Sequence, residues 1–163
     1  MKKEKGGQRE KIESGKRCNQ YLELDGGAVK SETKLWWLLR KQLPQVRWTR
    51  IESRVNHGVG DVNGLYQGSE FWVELKVAKS NGSVAVSPHQ VSWNYARITN
   101  LGRAFFLVTP LKQSNLFLFG GHQGRDLVRN GLRTEPLAVF HDPLDWKKIL
   151  HCLTKASIII KKA

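Results

Sequence analysis

Apolar and polar positions alternate most strictly between residues 71 and 78. Phe71, Val73, Leu75 and Val77 alternate there with Trp72, Glu74, Lys76 and Ala78. Because successive side chains of a strand point to opposite faces, the pattern predicts a strand with one face in the core and Glu74 and Lys76 together on the other. Two residues along a strand span roughly 6.6 Å, so both charged groups can reach a single ligand.

Three other segments show the helical spacing of apolar residues. The first helix is expected from its N-cap, Ser31, to about Gln42, before Pro44. The last helix is expected to begin at Asp142 and Pro143. Their predicted buried stripes are Leu35, Trp36, Leu38 and Leu39 in the first helix, and Trp146, Ile149, Leu150 and Leu153 in the last.

The middle helix has the clearest boundaries. Ser87 is a good N-cap and Pro88 a good first residue, and the helix is expected to run to about Asn100, with Gly102 just beyond. One face, formed by Val91, Tyr95 and Ile98, is predicted to enter the core. The other face carries Gln90, Asn94 and Arg97 and is predicted to begin beside the strand at 72–77.

Three further strands complete the expected sheet. The segment 46–52 is predicted as a core strand with Val46, Trp48 and Arg50 on one face, and 103–109 and 115–119 are short apolar runs. A strand at 72–77, a helix and a strand at 103–109 form a β-α-β unit, whose strands are parallel. The predicted fold class is α/β (α+β), with a mixed central sheet flanked by helices.

Composition restricts the partners of this chain. It has 163 residues, 40% of them hydrophobic, which suits one domain, and a net charge of +13. That charge makes nucleic acid the first expected partner and an anionic membrane the second, but no apolar run approaches the ~20 residues of a spanning helix. The two cysteines, Cys18 and Cys152, form no metal-binding pair, and we expect an intracellular protein.

The chain is expected to hold a single domain with basic ends. Residues 1–25 have few apolar side chains and many lysines and arginines, so we predict a disordered arm, which is either a phosphate-tracking arm or a solvated tail. Residues 26–157 form the predicted domain, and residues 158–163 a C-terminal tail.

Candidate chemistry begins with Asp61, which follows the glycine-rich segment Gly58-Val59-Gly60. A turn after Asn63 would put Asp61 on the strand next to Glu74. Two carboxylates and Lys76 suit Mg²⁺-assisted phosphodiester hydrolysis, because hard oxygen ligands hold Mg²⁺ and a lysine can stabilise developing charge. The alternative is a surface salt bridge on a strand and an unrelated aspartate in a turn.

The order Asp61, Glu74-Leu75-Lys76, Gln90 resembles the PD-(D/E)XK nuclease superfamily, over roughly residues 30–110. The layout is similar to its VRR-Nuc branch and to phage and archaeal Holliday-junction resolvases. Gly60 stands where the superfamily's name has proline. The resemblance implies a restriction-endonuclease-like core.

The resemblance also implies roles for individual residues. Asp61, Glu74 and the backbone carbonyl of Leu75 would bind Mg²⁺, for which Mn²⁺ would substitute. Lys76 and Gln90 would join Asp61 and Glu74 as catalytic residues. Glu32 is the candidate outer ligand, and the alternative is a glutamate placed by the helix dipole.

The expected substrate is DNA, and the resemblance favours branched or junction DNA cut by a homodimer. The predicted DNA contacts are Arg47, Arg50, Arg54, Lys79 and Arg97. The alternatives are a restriction-like enzyme, an exonuclease or a DNA-binding module without catalysis. The resemblance places the protein in a prokaryote or in a phage-infected cell.

Overall fold

A six-stranded mixed sheet lies at the centre of the molecule. The computed structural model describes residues 31–51 and 58–155. The strands are β1 (Arg47–Arg50), β2 (Val62–Tyr66), β3 (Ser69–Ala78), β4 (Ala104–Pro110), β5 (Leu116–Gly120) and β6 (Ala138–Phe140). They are ordered β1 to β6 across the sheet, with β3 and β4 parallel and every other pair antiparallel. The expected mixed sheet is confirmed.

Four α-helices flank the sheet within the described ranges. They are α1 (Glu32–Gln42), α2 (Pro88–Thr99), α3 (Gly124–Asn130) and α4 (Trp146–Lys155). The Ser31 hydroxyl accepts a hydrogen bond from the Lys34 amide and so begins α1 as predicted. Two short 3₁₀ turns, Gly121–Gln123 and Gly131–Arg133, precede and follow α3.

The two faces of the sheet carry separate hydrophobic cores. On the first face, α1 and α4 cover Phe71, Val73 and Leu75 of β3, as the alternation predicts. The core on the second face is smaller and includes Ala78, Phe106 and Leu127 of α3. The side chains of Glu74 and Lys76 also point to the second face, where they lie beside this smaller core.

Two strand predictions need correction. The strand at 46–52 has only four residues, lies at the edge of the sheet and leaves Arg50 exposed, because removing a charged guanidinium from water is unfavourable. Strand β6 was not predicted, since three residues are too few to show an alternation.

Two helix predictions also need correction. Helix α4 begins at Trp146, where the Asp145 carboxylate accepts a hydrogen bond from the Lys148 amide, and not at Asp142. In α2, Tyr95 is 51% exposed whereas Asn94 is fully buried. The two buried residues of α2, Asn94 and Ile98, come one from each candidate face, because tertiary contacts and not helical spacing decide which part of the helix is covered.

Candidate functional site

Asp61 lies immediately before β2, at the edge of the β2–β3 ladder. Val62 pairs with Val73, so the antiparallel register continues to Asp61 beside Glu74. The Asp61 carbonyl accepts a hydrogen bond from the Ile51 amide at 2.8 Å. Its carboxylate accepts another from the Leu75 amide, also at 2.8 Å. The first contact fixes the Asp61 backbone, and the second holds its carboxylate against β3.

A close approach of two backbones explains the glycine at position 58, three residues before Asp61. Gly58 has φ of 93°, and a Cβ there would lie 2.5 Å from the backbone of His89 in α2. Only glycine tolerates both conditions. Gly58 therefore lets the chain entering β2 pass against the first turn of α2, which brings Asp61, Glu74 and Gln90 into one region.

Glu74 is the most buried of the predicted site residues. Its side chain has no exposed surface. One carboxylate oxygen, Oε1, contacts the Lys76 ammonium at 3.1 Å and accepts a hydrogen bond from the Gln90 amide. The other oxygen, Oε2, is buried and has no hydrogen-bond partner within residues 31–51 and 58–155.

Burial, together with the negative charge of Asp61, raises the pKa of Glu74 to about 8. The Lys76 ammonium opposes this shift, but desolvation outweighs it. Without a further cation, Glu74 is therefore mostly protonated at neutral pH. Two neighbouring carboxylates whose joint ionisation is unfavourable form an electrostatic site for a positive charge.

Lys76 connects Glu74 with the start of α1. Its Nζ lies 3.1 Å from Glu74 and 3.8 Å from Glu32, whose side chain is 53% exposed. Lys76 itself is nearly buried. Glu74 on β3 and Glu32, the candidate outer acid on α1, therefore lie around one ammonium group.

Gln90 has two structural contacts in addition to its predicted place in the site. Its Oε1 accepts a hydrogen bond from the Ser87 amide, and its backbone amide donates to the Ser87 hydroxyl, which completes a capping box. Its Nε2 donates to Glu74. The side-chain contacts show Gln90 orienting Glu74, whereas contact with water or phosphate stays a prediction.

The oxygen atoms of the site meet some of the requirements for binding a divalent cation. Asp61 and Glu74 offer carboxylate oxygens, and the unpartnered Glu74 Oε2 is a buried acceptor that a cation would satisfy. Among the described residues, however, no group of three or more His, Cys, Asp or Glu side chains has the arrangement of a metal site. Mg²⁺ fits such a sparse set, because it usually keeps several waters and completes its shell with substrate.

The predicted DNA contacts fall on different surfaces. Arg47 and Arg50 are exposed on β1 and point to opposite faces of the sheet, because they are three residues apart. Arg47 shares the face of Glu74, and Arg50 lies on the face of α1. Lys79 is exposed in a turn after β3, where its amide donates a hydrogen bond to the Ser83 carbonyl and its carbonyl accepts one from the Gly82 amide. Arg54 lies outside the described residues.

An aromatic cluster next to Glu74 was not predicted. The Arg97 guanidinium lies 5.0 Å from the ring centres of both Trp72 and Trp93, and the two rings meet edge to face at 5.1 Å. The signal was present in the spacing, since Trp72 precedes Glu74 by two strand residues and Trp93 follows Gln90 by three helix residues. Arg97 is therefore held in place beside the site.

Comparison with protein-family models and with curated proteins finds no match to this chain. The resemblance to the nuclease superfamily consequently rests on the residues and their geometry alone. No helix of the described part of the chain combines the length and the apolar character needed to cross a membrane.

Proposed function

We propose that the chain is a Mg²⁺-dependent DNA endonuclease that is selective for branched DNA, such as a four-way junction. The single observation that carries the proposal is the state of Glu74: fully buried, beside Asp61, with one oxygen bound to Lys76 and Gln90 and the other without a partner in the described chain. Lys76 compensates for the burial of Glu74 only in part, since the pKa of Glu74 beside Asp61 stays raised to about 8, so such a site favours a further cation.

Asp61 and Glu74 would hold the metal ion, with the Leu75 carbonyl as the further ligand that the resemblance implies and Mn²⁺ as the substitute. A bound Mg²⁺ stabilises charge on the scissile phosphate and lowers the pKa of a coordinated water. The Asp61 carboxylate is held for this role by the Leu75 amide. Gln90 and Lys76 hold Oε1 of Glu74, which leaves Oε2 for the ion.

Lys76 would serve the reacting phosphate. Its ammonium is nearly buried, and the mostly protonated Glu74 beside it does not neutralise its charge. The ammonium would therefore stabilise negative charge on phosphorus or orient the attacking water. Glu32, at 3.8 Å, would hold Lys76 in place. This arrangement gives Glu32 a positioning role as an alternative to that of an outer metal ligand.

The DNA would lie along the sheet face that carries Glu74. On this face Arg47 lies at the edge and Arg97 is supported by two tryptophan rings. A stacked guanidinium loses little conformational freedom when it binds phosphate. The net charge of +13 provides the non-specific attraction to the DNA backbone. Concerted cutting of a junction would require a homodimer.

A DNA-binding module without catalysis is the second candidate. It is favoured by the absence of a three-ligand acidic group among the described residues. The two candidates differ in one assay, in which a four-way junction and a linear duplex are incubated with the protein in Mg²⁺ or in EDTA. The endonuclease cuts the junction in Mg²⁺ only. Binding of the junction without any cutting in Mg²⁺ or Mn²⁺ would support the module.

A further inference from the structure

A second surface, away from Glu74, combines aromatic and basic side chains. We call it the α1–β1 cleft, and it is lined by Trp36, Trp37, Arg40, Trp48 and Arg50 among others. It has a volume of about 620 Å³ and lies on the sheet face opposite to Glu74. This volume is within the range of sites that bind small organic ligands. A nucleotide is a ligand of that class.

One wall of the cleft is rigid. The indole N–H of Trp48 donates a hydrogen bond to the Leu43 carbonyl at 3.1 Å. The Trp48 ring meets Trp36 edge to face at 6.0 Å and Phe71 at 5.6 Å. Trp48 is therefore held on several sides, so a ligand in the cleft would meet a preformed aromatic surface.

The other wall is accessible and carries charge. Trp37 is 39% exposed, so part of its ring is open to a ligand. The Arg40 guanidinium lies 5.3 Å from the centre of its ring and 5.5 Å from that of Trp36. Guanidinium planes and indole rings are the groups on which unpaired nucleobases stack, and arginine also attracts the adjoining phosphates.

We infer that the α1–β1 cleft binds an unpaired nucleotide of the DNA substrate. Bases within a duplex are stacked on each other and cannot enter such a cleft, whereas a base at a branch point or in a single-stranded arm can. The inference rests on the proposed function for the identity of the ligand, and it adds that the substrate has unpaired nucleotides near the cut.

Helix α1 sets the distance between the two sites. Glu32, at its start, contacts Lys76, and Arg40, near its end, lies in the cleft. Their separation along the helix axis is roughly 12 Å. Because the two sites lie on opposite faces of the sheet, a strand that reaches both would pass around the sheet edge at β1, so at about 3.4 Å per nucleotide the bound base and the cut are at least about three to four nucleotides apart.

The test measures binding in EDTA, so that it does not depend on catalysis. A fluorescent oligothymidine and an abasic oligomer of the same length carry the same phosphates, and their difference in affinity isolates base stacking. We expect wild-type protein to prefer the oligothymidine by roughly tenfold or more. Trp37→Ala should remove most of that preference, and Trp37→Phe should restore part of it.

Matched controls separate the cleft from general effects. Tyr95→Ala also removes an exposed aromatic ring, but from α2, and should leave the preference unchanged. Arg40→Ala should weaken binding of the oligothymidine more than Arg129→Ala, which removes an equal charge from the exposed surface of α3. Near-ultraviolet circular dichroism confirms that each variant is folded.

Equal affinity of the wild type for both oligomers, or an unchanged preference in Trp37→Ala, would overturn the inference. The cleft would then not be a nucleotide site, and Mg²⁺-dependent cutting of a junction would remain a separate question. Conversely, a base-dependent affinity that is lost in Trp37→Ala supports the cleft even if no cutting is found.

Discussion

At the scale of single residues, Lys76 and Glu74 depend on each other. A buried ammonium and a buried carboxylate each reduce the desolvation penalty of the other, at a separation of 3.1 Å. Yet the pKa of Glu74 is still raised to about 8, so the pair alone does not compensate for burial beside Asp61. This imbalance is why the site favours an additional cation.

Removing the ammonium should separate chemistry from binding. Lys76→Ala is expected to lower the single-turnover rate of junction cleavage by about 10²-fold or more, because it removes a group that stabilises transition-state charge. Junction affinity should change little, since many phosphate contacts contribute to it. Lys112→Ala removes an exposed lysine from the β4–β5 turn and serves as the control. Wild-type turnover in Lys76→Ala would show that Lys76 has no role in the reaction.

Glu74 should make the stability of the metal-free protein dependent on pH. Its folded-state pKa of about 8 lies above the unfolded value of 4.5, so the folded state binds the proton more tightly. Stability is then full below pH 4.5 and is lost as pH rises towards 8, by up to a few kcal/mol. Denaturant melts at several pH values in EDTA measure this loss.

Two variations check the origin of that pH dependence. Glu74→Gln cannot ionise and should flatten the profile between pH 4.5 and 8. Added Mg²⁺ should restore stability at pH 8 more than at pH 5, because it binds the ionised carboxylates. A profile that is equally steep in Glu74→Gln would assign the effect to another group.

At the scale of elements, the first turn of α2 connects fold and site. Ser87 caps the helix, and the same hydrogen-bonded box holds Gln90 against Glu74. Ser87→Ala is expected to destabilise the protein by about 1 kcal/mol. It should also slow junction cleavage by releasing Gln90. Denaturant unfolding and single-turnover kinetics measure the two effects.

Ser92 offers the matched control in the same helix. It is exposed, in the interior of α2, and Ser92→Ala should be neutral or slightly stabilising, because alanine has the higher helix propensity. Cleavage should be unchanged in this variant. If Ser87→Ala lowers stability without slowing cleavage, Gln90 does not need the capping box to orient Glu74.

The elements that could be predicted from sequence are those with strong local signals. The alternation in β3 and the Ser87-Pro88 start of α2 placed Glu74, Lys76 and Gln90 correctly on their elements. Strand β6 was missed because three residues carry no period. The burial of Asn94 instead of Tyr95 was missed because it depends on how α2 is placed against the sheet, which a helical pattern does not specify.

The proximity of Asp61, Glu74 and Lys76 could be predicted from the sequence, but their surroundings could not. Spacing on β3 placed Glu74 and Lys76 on one face, and a turn placed Asp61 near them. The burial of Glu74, its unpartnered oxygen and the stacking of Arg97 on two tryptophans depend on contacts between elements distant in sequence. Such contacts have no local signal.

At the scale of the whole molecule, charge should control binding. With a net charge of +13, junction affinity is expected to fall steeply and linearly on a plot of log affinity against log salt concentration. Arg47→Ala should reduce the slope by about one, as expected for one lost phosphate contact. Arg129→Ala, on α3, is the control for loss of charge alone, and an equal change in both variants would show that Arg47 makes no specific contact.

Cation binding between Asp61 and Glu74 is the central claim, and calorimetric titration of the DNA-free protein with Mn²⁺ tests it most directly. At pH 7 we predict one bound ion per chain. Because Glu74 has a pKa of about 8, binding should also release a proton, and the measured binding enthalpy should then depend on the ionisation enthalpy of the buffer. Glu74→Gln and Asp61→Asn should each abolish binding, whereas Glu135→Gln, an exposed control, should not. Absence of binding at millimolar Mn²⁺, or unchanged binding in Glu74→Gln, would contradict the account.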